Sequence, residues 1–359
     1  MKILFISRAY PPVTGGIENQ NYALSVWLPK ISDCYTLANT RGKKFLPFFL
    51  PYAIVYALLN APKYDAILLG DGVLGVLGFI VKFFYPKKTV TSIVHGLDLT
   101  YRSTLYQNAW VKIFLPSLDS YIAVSSETRA TAIQQGLDPN KVLVIPNGTD
   151  LTYEPQKYTR EDLARLLGKD ITHSVVLLTT GRLAKRKGAN WFIREILPTL
   201  PPHILYVLAG DGPERNVIES TLKELSLESR VSLLGRVSDE ERNLLLHTAD
   251  IFIQPNIPVP GDMEGFGIAV IEATLLGRPV IASDLEGLKD AIIPNENGIL
   301  VPPLDTEAWK QAVTSIAESP EKRSTLGQKA HTYTQNTFHW QRVSQLYIEA
   351  LENTKSQVQ

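Results

Sequence analysis

Residues 264–283 read EGFGIAVIEATLLGRPVIAS. Two glycines in the first four positions open a loop, an apolar stretch follows, Gly277 supplies a stop and a β-branched run begins at Pro279. This order predicts a short helix from about Gly267 to Leu276 that leads straight into a buried strand. The same kind of run recurs along the whole chain. Segments rich in Val, Ile and Leu stand at 2–7, 34–38, 66–69, 89–94, 121–124 and 142–145, and again at 174–180, 204–209, 231–234, 251–254, 279–282 and 298–301. They are continuous instead of alternating, as parallel strands covered by helices on both faces must be. The expected fold class is therefore α/β, with two doubly wound Rossmann-like domains facing a cleft. The expected division is 1–150, then 151–335, with a C-terminal helix in 336–359 packing back on the N-terminal domain. Segment 150–172, with Pro155, is the expected hinge.

The composition agrees with two folded cores. Of 359 residues, 45% are hydrophobic and 20% charged, a globular balance in a chain too long for one ordinary core. Cys34 is the only cysteine, which excludes an internal disulfide and a cysteine-based metal framework and fits a reducing compartment. The start MKILFISRAYPP is broken by Arg8 and two prolines, so it does not read as a signal peptide, and a cytoplasmic protein is expected. Net charge is zero, yet residues 1–150 carry 14 basic and 9 acidic side chains against 22 and 27 in the remainder. That pattern excludes a generally basic nucleic-acid binder and gives the N-terminal half alone an affinity for anions. The most apolar stretches are 45–60, with Pro47 and Pro51, and 73–85, with Lys82. Both are expected to be helices packed across a sheet rather than membrane spans.

Ligands of doubly wound sheets bind beyond the carboxyl ends of the strands, so the residues directly after each strand are the ones to inspect. In the stretch quoted above, Gly265 and Gly267 allow backbone amides to approach a ligand at a helix N-terminus, where phosphate is favoured. Glu264 and Glu272 bracket these amides, eight residues and up to roughly 12 Å of helical rise apart. One carboxylate can then meet sugar hydroxyls and the other ribose hydroxyls at the two ends of a diphosphate. In GRLAKRKG, residues 181–188, Arg182 and Lys187 each adjoin a glycine at a strand end and can neutralise a diphosphate, while Lys185 and Arg186 read as a solvated charge run. In the N-terminal half, Gly15 and Gly16 precede a helix, His95 follows the fourth strand in HGLD and is placed to meet a sugar hydroxyl, and Asp98 serves the same loop.

Taken together, PPVTGGIE, HGLD, PNGTD, GRLAKRKG, AGDGPER, LGRVSDEE and the Glu264–Glu272 segment resemble the retaining glycosyltransferases of family 4, with GT-B architecture, over nearly the whole chain. The resemblance implies a nucleotide diphosphate sugar as donor. It implies that Glu264 and the amides of Phe266, Gly267 and Ile268 hold sugar and diphosphate. Arg182 and Lys187 would bind the diphosphate, Glu272 the ribose, the backbone near Val237 the base, and Gly16 the distal phosphate. His95 would sit beside the transferred sugar, so that His95 and Glu264 are the expected catalytic pair and Gly15, His95 and Asp98 the acceptor side. It further implies retention through a front-face mechanism in which the departing phosphate takes the acceptor proton. The proline-rich run Asn256–Asp262 departs from the plainest family pattern and bears on the donor sugar.

No metal and no cofactor are expected, because the sequence holds no Asp-x-Asp pair. A UDP-sugar is favoured over a GDP-sugar, and the expected acceptor is a saccharide or a lipid-linked saccharide. Nine basic and three acidic residues between Arg41 and Lys112, interleaved with Phe45, Phe48, Phe49, Phe83, Phe84 and Tyr85, suggest peripheral contact with an anionic membrane at its inner face. Two other classes compete. Gly70, Gly72 and Gly75 form a GxGxxG after the third run, nominally a dinucleotide fingerprint of an NAD-dependent oxidoreductase, but the expected ribose carboxylate about twenty residues on is not clearly placed. Twin α/β domains around a hinge also serve proteins that only bind a sugar nucleotide.

Overall fold

The computed structural model describes residues 1–358 apart from positions 14, 102, 152 and 155. Pro155, assigned above to the hinge, lies outside the described residues. The chain forms two compact units, one of Met1–Gly148 with Phe338–Gln359 and one of Thr149–Thr337.

The first unit is built on β1 (Lys2–Ser7), β2 (Asp33–Ala38), β3 (Ala66–Leu69), β4 (Thr89–Val94), β5 (Ser120–Ala123) and β6 (Val142–Val144), paired in the order β2-β1-β3-β4-β5-β6. The second is built on β7 (Val175–Thr180), β8 (Ile204–Ala209), β9 (Val231–Gly235), β10 (Ile251–Gln254), β11 (Val280–Ser283) and β12 (Ile299–Val301), in the order β12-β11-β10-β7-β8-β9. Every pairing between these strands is parallel. β1, β3, β4, β5 and β7 are buried along most or all of their length, which is why their sequences run apolar without alternation.

Helices cover both faces of the first sheet. On one side α1 (Gly16–Trp27) packs with the C-terminal helix: Leu24 and Leu28 share a core with Ile3, Phe5, Trp340, Val343, Tyr347 and Leu351. On the other side α2 (Leu46–Asn60) and α3 (Gly75–Phe84) lie beside the helical stretch 104–117 over Leu4, Ile6, Ile67 and Leu69. Gln20 Nε2 donates to Tyr347 Oη at 2.9 Å and Lys355 pairs with Asp65 at 2.8 Å, so the last helix is tied to this unit by polar as well as apolar contacts.

Strand order reverses at one place in each sheet. In the first unit it lies between β1 and β3, in the second between β7 and β10, and the crevice outside the carboxyl ends of such strands is where ligands bind.

The glycines of the apparent dinucleotide motif have another purpose. A Cβ on Gly70 would lie 2.8 Å from Asn21 Nδ2, one on Gly72 3.1 Å from Asp98 Cβ and one on Gly75 3.1 Å from Leu115 Cδ2. Close packing requires them, and the fingerprint reading is set aside.

Candidate active site

The carboxyl ends of β7 and β10 carry GRLAKRKG and the loop that ends at Glu264. Gly188, at φ 67°, is pressed against the backbone after β10, where any Cβ would fall 1.7 Å from Pro255 O. This close approach joins the two loops and directs Lys187 to Glu264. Lys187 Nζ lies 2.5 Å from Glu264 Oε2, and both side chains are buried.

The rest of the carboxylate is equally held. Asn256 Nδ2 donates to Glu264 Oε2 at 3.1 Å, and Gln254 Nε2 donates to Asn256 Oδ1 at 2.6 Å. Glu264 N–H donates to Glu286 Oε2 at 2.5 Å and Gly287 N–H to Glu264 O at 3.1 Å. Burial alone would raise the Glu264 pKa, but Lys187 first and Arg186 second outweigh it and hold the group below its ordinary value. Glu264 is an anion fixed in place.

Two readings of the basic run change with the structure. Arg186 is not part of a solvated run: its Nε is 3.7 Å from Glu264 Oε2 and its Nη1 is 3.5 Å from Asp262 Oδ1. Lys187 is not an open cation but one already matched to a carboxylate. Arg182 and Lys185 are exposed and make no ion pair among the described residues, and of the two it is Arg182 that directly follows the strand-end glycine.

The helix after Glu264 starts one residue later and ends one residue earlier than expected. Gly267 caps it at φ 97°, a left-handed conformation, and a Cβ there would meet Leu288 Cδ2 at 2.6 Å. Gly265 is half-buried, Phe266 and Gly267 are buried, and Ile268 opens the helix. The first amides of a helix have no intrahelical acceptor, which makes this terminus a candidate anion site.

Three further helices carry residues singled out above: α4 (Gly96–Thr100) in the first unit, and α5 (Asp239–Thr248) and α6 (Ile268–Leu275) in the second. Val237 lies just before α5, directly ahead of the capping residue Ser238. Glu272 sits on α6, with Oε1 3.6 Å from Arg242 Nη1 on α5. At that distance the pair is wider than a hydrogen bond, and burial raises the pKa of Glu272 while Arg242 opposes this only in part.

In the first unit the structure brings together more than was expected. His95 caps α4 and is buried, and Asp98 Oδ2 accepts from Gly72 N–H at 3.0 Å and from His95 N–H at 3.2 Å. Asp98 orients the loop. Asp71, at the end of β3, accepts from Arg8 Nε at 2.9 Å and from Val73 N–H at 3.0 Å. Burial pushes the Asp71 carboxyl up to about 6 despite Arg8, and pushes His95 down to about 4 despite Asp71, so the imidazole is neutral at pH 7. His95 Nε2, Asp71 Oδ2 and Tyr106 Oη are buried without a hydrogen-bond partner among the described residues. Buried polar atoms of this kind are normally satisfied by water or ligand. Gly16 begins α1 and Gly15 precedes it in extended conformation, both beyond β1.

Arg8, Asp71, Arg186 and Arg242 surround these groups and are not found as such by sequence reasoning, which reaches Asn256 only as the start of the proline-rich run. Arg8, Asp71, Arg186 and Asn256 stand within a few residues of strand ends, which is the one signal they carry. Among the described residues no group of three or more His, Cys, Asp or Glu side chains is arranged around a metal position.

The family model described as Glycosyltransferase Family 4 matches residues 14–153, and that described as Glycosyl transferases group 1 matches residues 169–333. A phosphatidylinositol N-acetylglucosaminyltransferase subunit from Arabidopsis thaliana is 23% identical, over 96% of this chain and 80% of that one. The UDP-Gal:alpha-D-GlcNAc-diphosphoundecaprenol alpha-1,3-galactosyltransferase of Escherichia coli is 28% identical, over 74% and 69%. HepE of Anabaena, crystallised in complex with UDP-glucose, superposes with a TM-score of 0.77 at 22% identity, over 98% of this chain and all of that one. With a strand-end site in each Rossmann-like sheet and family matches on both halves, the chain belongs to glycosyltransferase family 4 and is a glycosyltransferase of GT-B fold.

Proposed function

We propose that this chain transfers a hexosyl group, with retention, from a UDP-sugar to a saccharide or lipid-linked saccharide, without a metal ion, as a peripheral enzyme at the cytoplasmic face of a membrane in polysaccharide or glycolipid synthesis. The observation that carries the reading is the Lys187–Glu264 pair at the strand-order reversal of the second sheet, with Arg182 unpaired beside it and a helix N-terminus following.

In this reading Glu264 accepts hydrogen bonds from hydroxyls of the donor sugar. Arg182, Lys187 and the amides of Gly265, Phe266, Gly267 and Ile268 receive the diphosphate. Glu272 takes the ribose and the backbone at Val237 the base. As the glycosidic bond breaks, negative charge grows on the leaving diphosphate, and these preorganised donors favour the transition state over the ground state. The departing phosphate oxygen accepts the acceptor proton on the same face, since Glu264 is fixed by three neighbours and is poorly placed to attack from behind. His95, neutral, offers a hydrogen bond beside the sugar instead of a proton transfer at pH 7, and Gly15, Gly16 and Asp98 shape that side. A UDP donor is supported by the UDP-glucose complex of HepE and the UDP-Gal donor of the Escherichia coli enzyme, and a lipid-linked acceptor by the latter's diphosphoundecaprenol substrate.

A thermal-shift panel of UDP-, GDP- and ADP-sugars tests the donor, because a ligand stabilises by RT ln(1 + [L]/Kd) and the true donor stands out at saturation. UDP-sugars should give the largest shift; a shift confined to GDP-sugars would reverse the base assignment. Calorimetry separates the two glutamates. Glu272→Ala should weaken free UDP by about 1.5–3 kcal/mol through lost charged hydrogen bonds. Glu264→Ala should lower turnover while free UDP binds nearly as before, and an equal loss of UDP and UDP-sugar affinity would refute that assignment.

A further inference from the structure

Helix α2 is inside out in side-chain size. Ala53, Ala57 and Ala61 just beyond it, with Phe49, face the sheet and are buried. The large residues Phe48, Tyr52, Val55 and Leu59, at helical spacing on the opposite side, face outward, with Phe48 68% and Leu59 73% exposed. Burying apolar area is what stabilises a fold, so four large apolar side chains turned to water on one stripe contribute nothing to this unit's own core.

The stripe continues onto the neighbouring helix. Tyr85 Oη donates to Leu58 O at 3.1 Å, which ties the end of α3 to the end of α2 and sets Phe83, 73% exposed, and Phe84 at the Leu59 end. By contrast, the exposed large apolar residues of the second unit, among those described, are Tyr153, Val217 and Leu304, scattered along its sequence.

Charge on this side has one sign. No acidic residue occurs between Asp33 and Asp65, between Asp71 and Asp98, or between Asp98 and Asp119, and Asp71 and Asp98 are buried. Lys43 and Lys44 stand exposed at the start of α2, Lys63 just past its end, Lys87 just past α3, and Lys112 beside the exposed Ile113.

We infer that the outward face of α2, α3 and the stretch 104–117 docks on an anionic lipid bilayer, with Phe48, Tyr52, Val55, Leu59, Phe83 and Phe84 entering the interface and the lysines meeting the headgroups. This deepens the membrane element of the proposed function by naming the surface. Residues 43–63 are long and apolar enough to cross a membrane by length and composition, at mean hydropathy 1.5, but the alanine face is committed to the sheet, so the helix lies in the interface. Phe45, Phe49 and Tyr85 pack against or within the core and do not insert. A second copy is the weaker occupant, because a two-fold contact would set these lysines against one another with no carboxylate to match them. An anionic surface matches apolar stripe and lysine fringe together.

Sedimentation tests this with vesicles of phosphatidylcholine, alone and with roughly one-third phosphatidylglycerol, at low and high salt. The full chain should bind the anionic vesicles at least about tenfold more tightly. The variant Phe48→Ser/Leu59→Ser/Phe83→Ser should lose roughly tenfold or more at both salt levels, since it removes insertion. The variant Lys43→Gln/Lys44→Gln/Lys63→Gln/Lys87→Gln should lose the salt-sensitive part and bind both vesicles alike. All of the substituted side chains are exposed, so thermal melts and acceptor-free release of UDP from UDP-sugar should match wild type. Equal, salt-insensitive partition of wild type would overturn the inference, as would unchanged binding of the serine variant or a dimer in light scattering that this variant dissolves. Lost docking with intact UDP release would sink the surface and leave the transferase standing; intact docking without any nucleotide-sugar response would do the reverse.

Discussion

Arg182→Ala should reduce turnover by two to three orders of magnitude without loosening the fold. Arg182 is exposed and makes no ion pair among the described residues, so its removal leaves no buried charge unmatched. A lost transition-state donor to a developing anion costs roughly 2.7–4 kcal/mol of barrier. Under metal independence the wild type should keep full activity in excess chelator, and added magnesium should not rescue the variant. Initial rates of wild type and variant, each with chelator and with magnesium or manganese, measure both claims. Activity that vanishes in chelator and returns with metal would show that an ion, and not the side-chain cations, neutralises the leaving diphosphate. Near-normal turnover of the variant would remove Arg182 from that role.

Lys187→Ala should lower turnover in the same way and, unlike Arg182→Ala, should also destabilise the second unit, by less than the roughly 3–5 kcal/mol of a buried charge left without a partner, because Glu264 keeps the longer Arg186 contact and the Asn256 hydrogen bond. Replacing both residues, as Lys187→Met/Glu264→Leu, should recover most of that stability and none of the activity. Linkage gives the pH dependence. Glu264 has a folded pKa below its unfolded one, so its contribution is complete above about pH 4.3 and is lost as pH falls through the lower folded value. Lys187→Ala should therefore flatten the acid-side loss of stability of this unit. Denaturant unfolding at neutral and acid pH measures it, and a single variant as stable as wild type would mean that the pair is not buried in solution.

The strands were legible because a buried parallel strand needs an unbroken apolar run, and runs such as 66–69 and 204–209 allow no other reading of that length. Helix α6 was legible from its glycines at both ends. The Lys187–Glu264 pair was not, since 77 positions of chain separate two residues that only the packing of Gly188 on Pro255 brings together. Spacing carries no information about such an approach. Arg186 misleads for the same reason: a charge run looks solvated until the loop opposite it is known. Asp71 is hidden inside a glycine pattern that resembles a cofactor motif, and its pairing with Arg8 again depends on β1 and β3 being neighbours. The outward stripe of α2 is invisible in sequence because both faces of that helix are apolar, leaving no polar side to mark which one meets the sheet.

The return of the C-terminal helix to the first unit has a consequence for synthesis. Residues 149–337 form a contiguous unit and are complete before Trp340, Val343, Tyr347 and Leu351 have been made. Until those four arrive, Ile3, Phe5, Leu24 and Leu28 lack the far side of their core. The half of the chain translated first is thus the half that matures last, and it waits with an apolar sheet face uncovered while its neighbour folds. A chain truncated after residue 337 should accordingly show a protease-resistant second unit joined to a protease-sensitive first one.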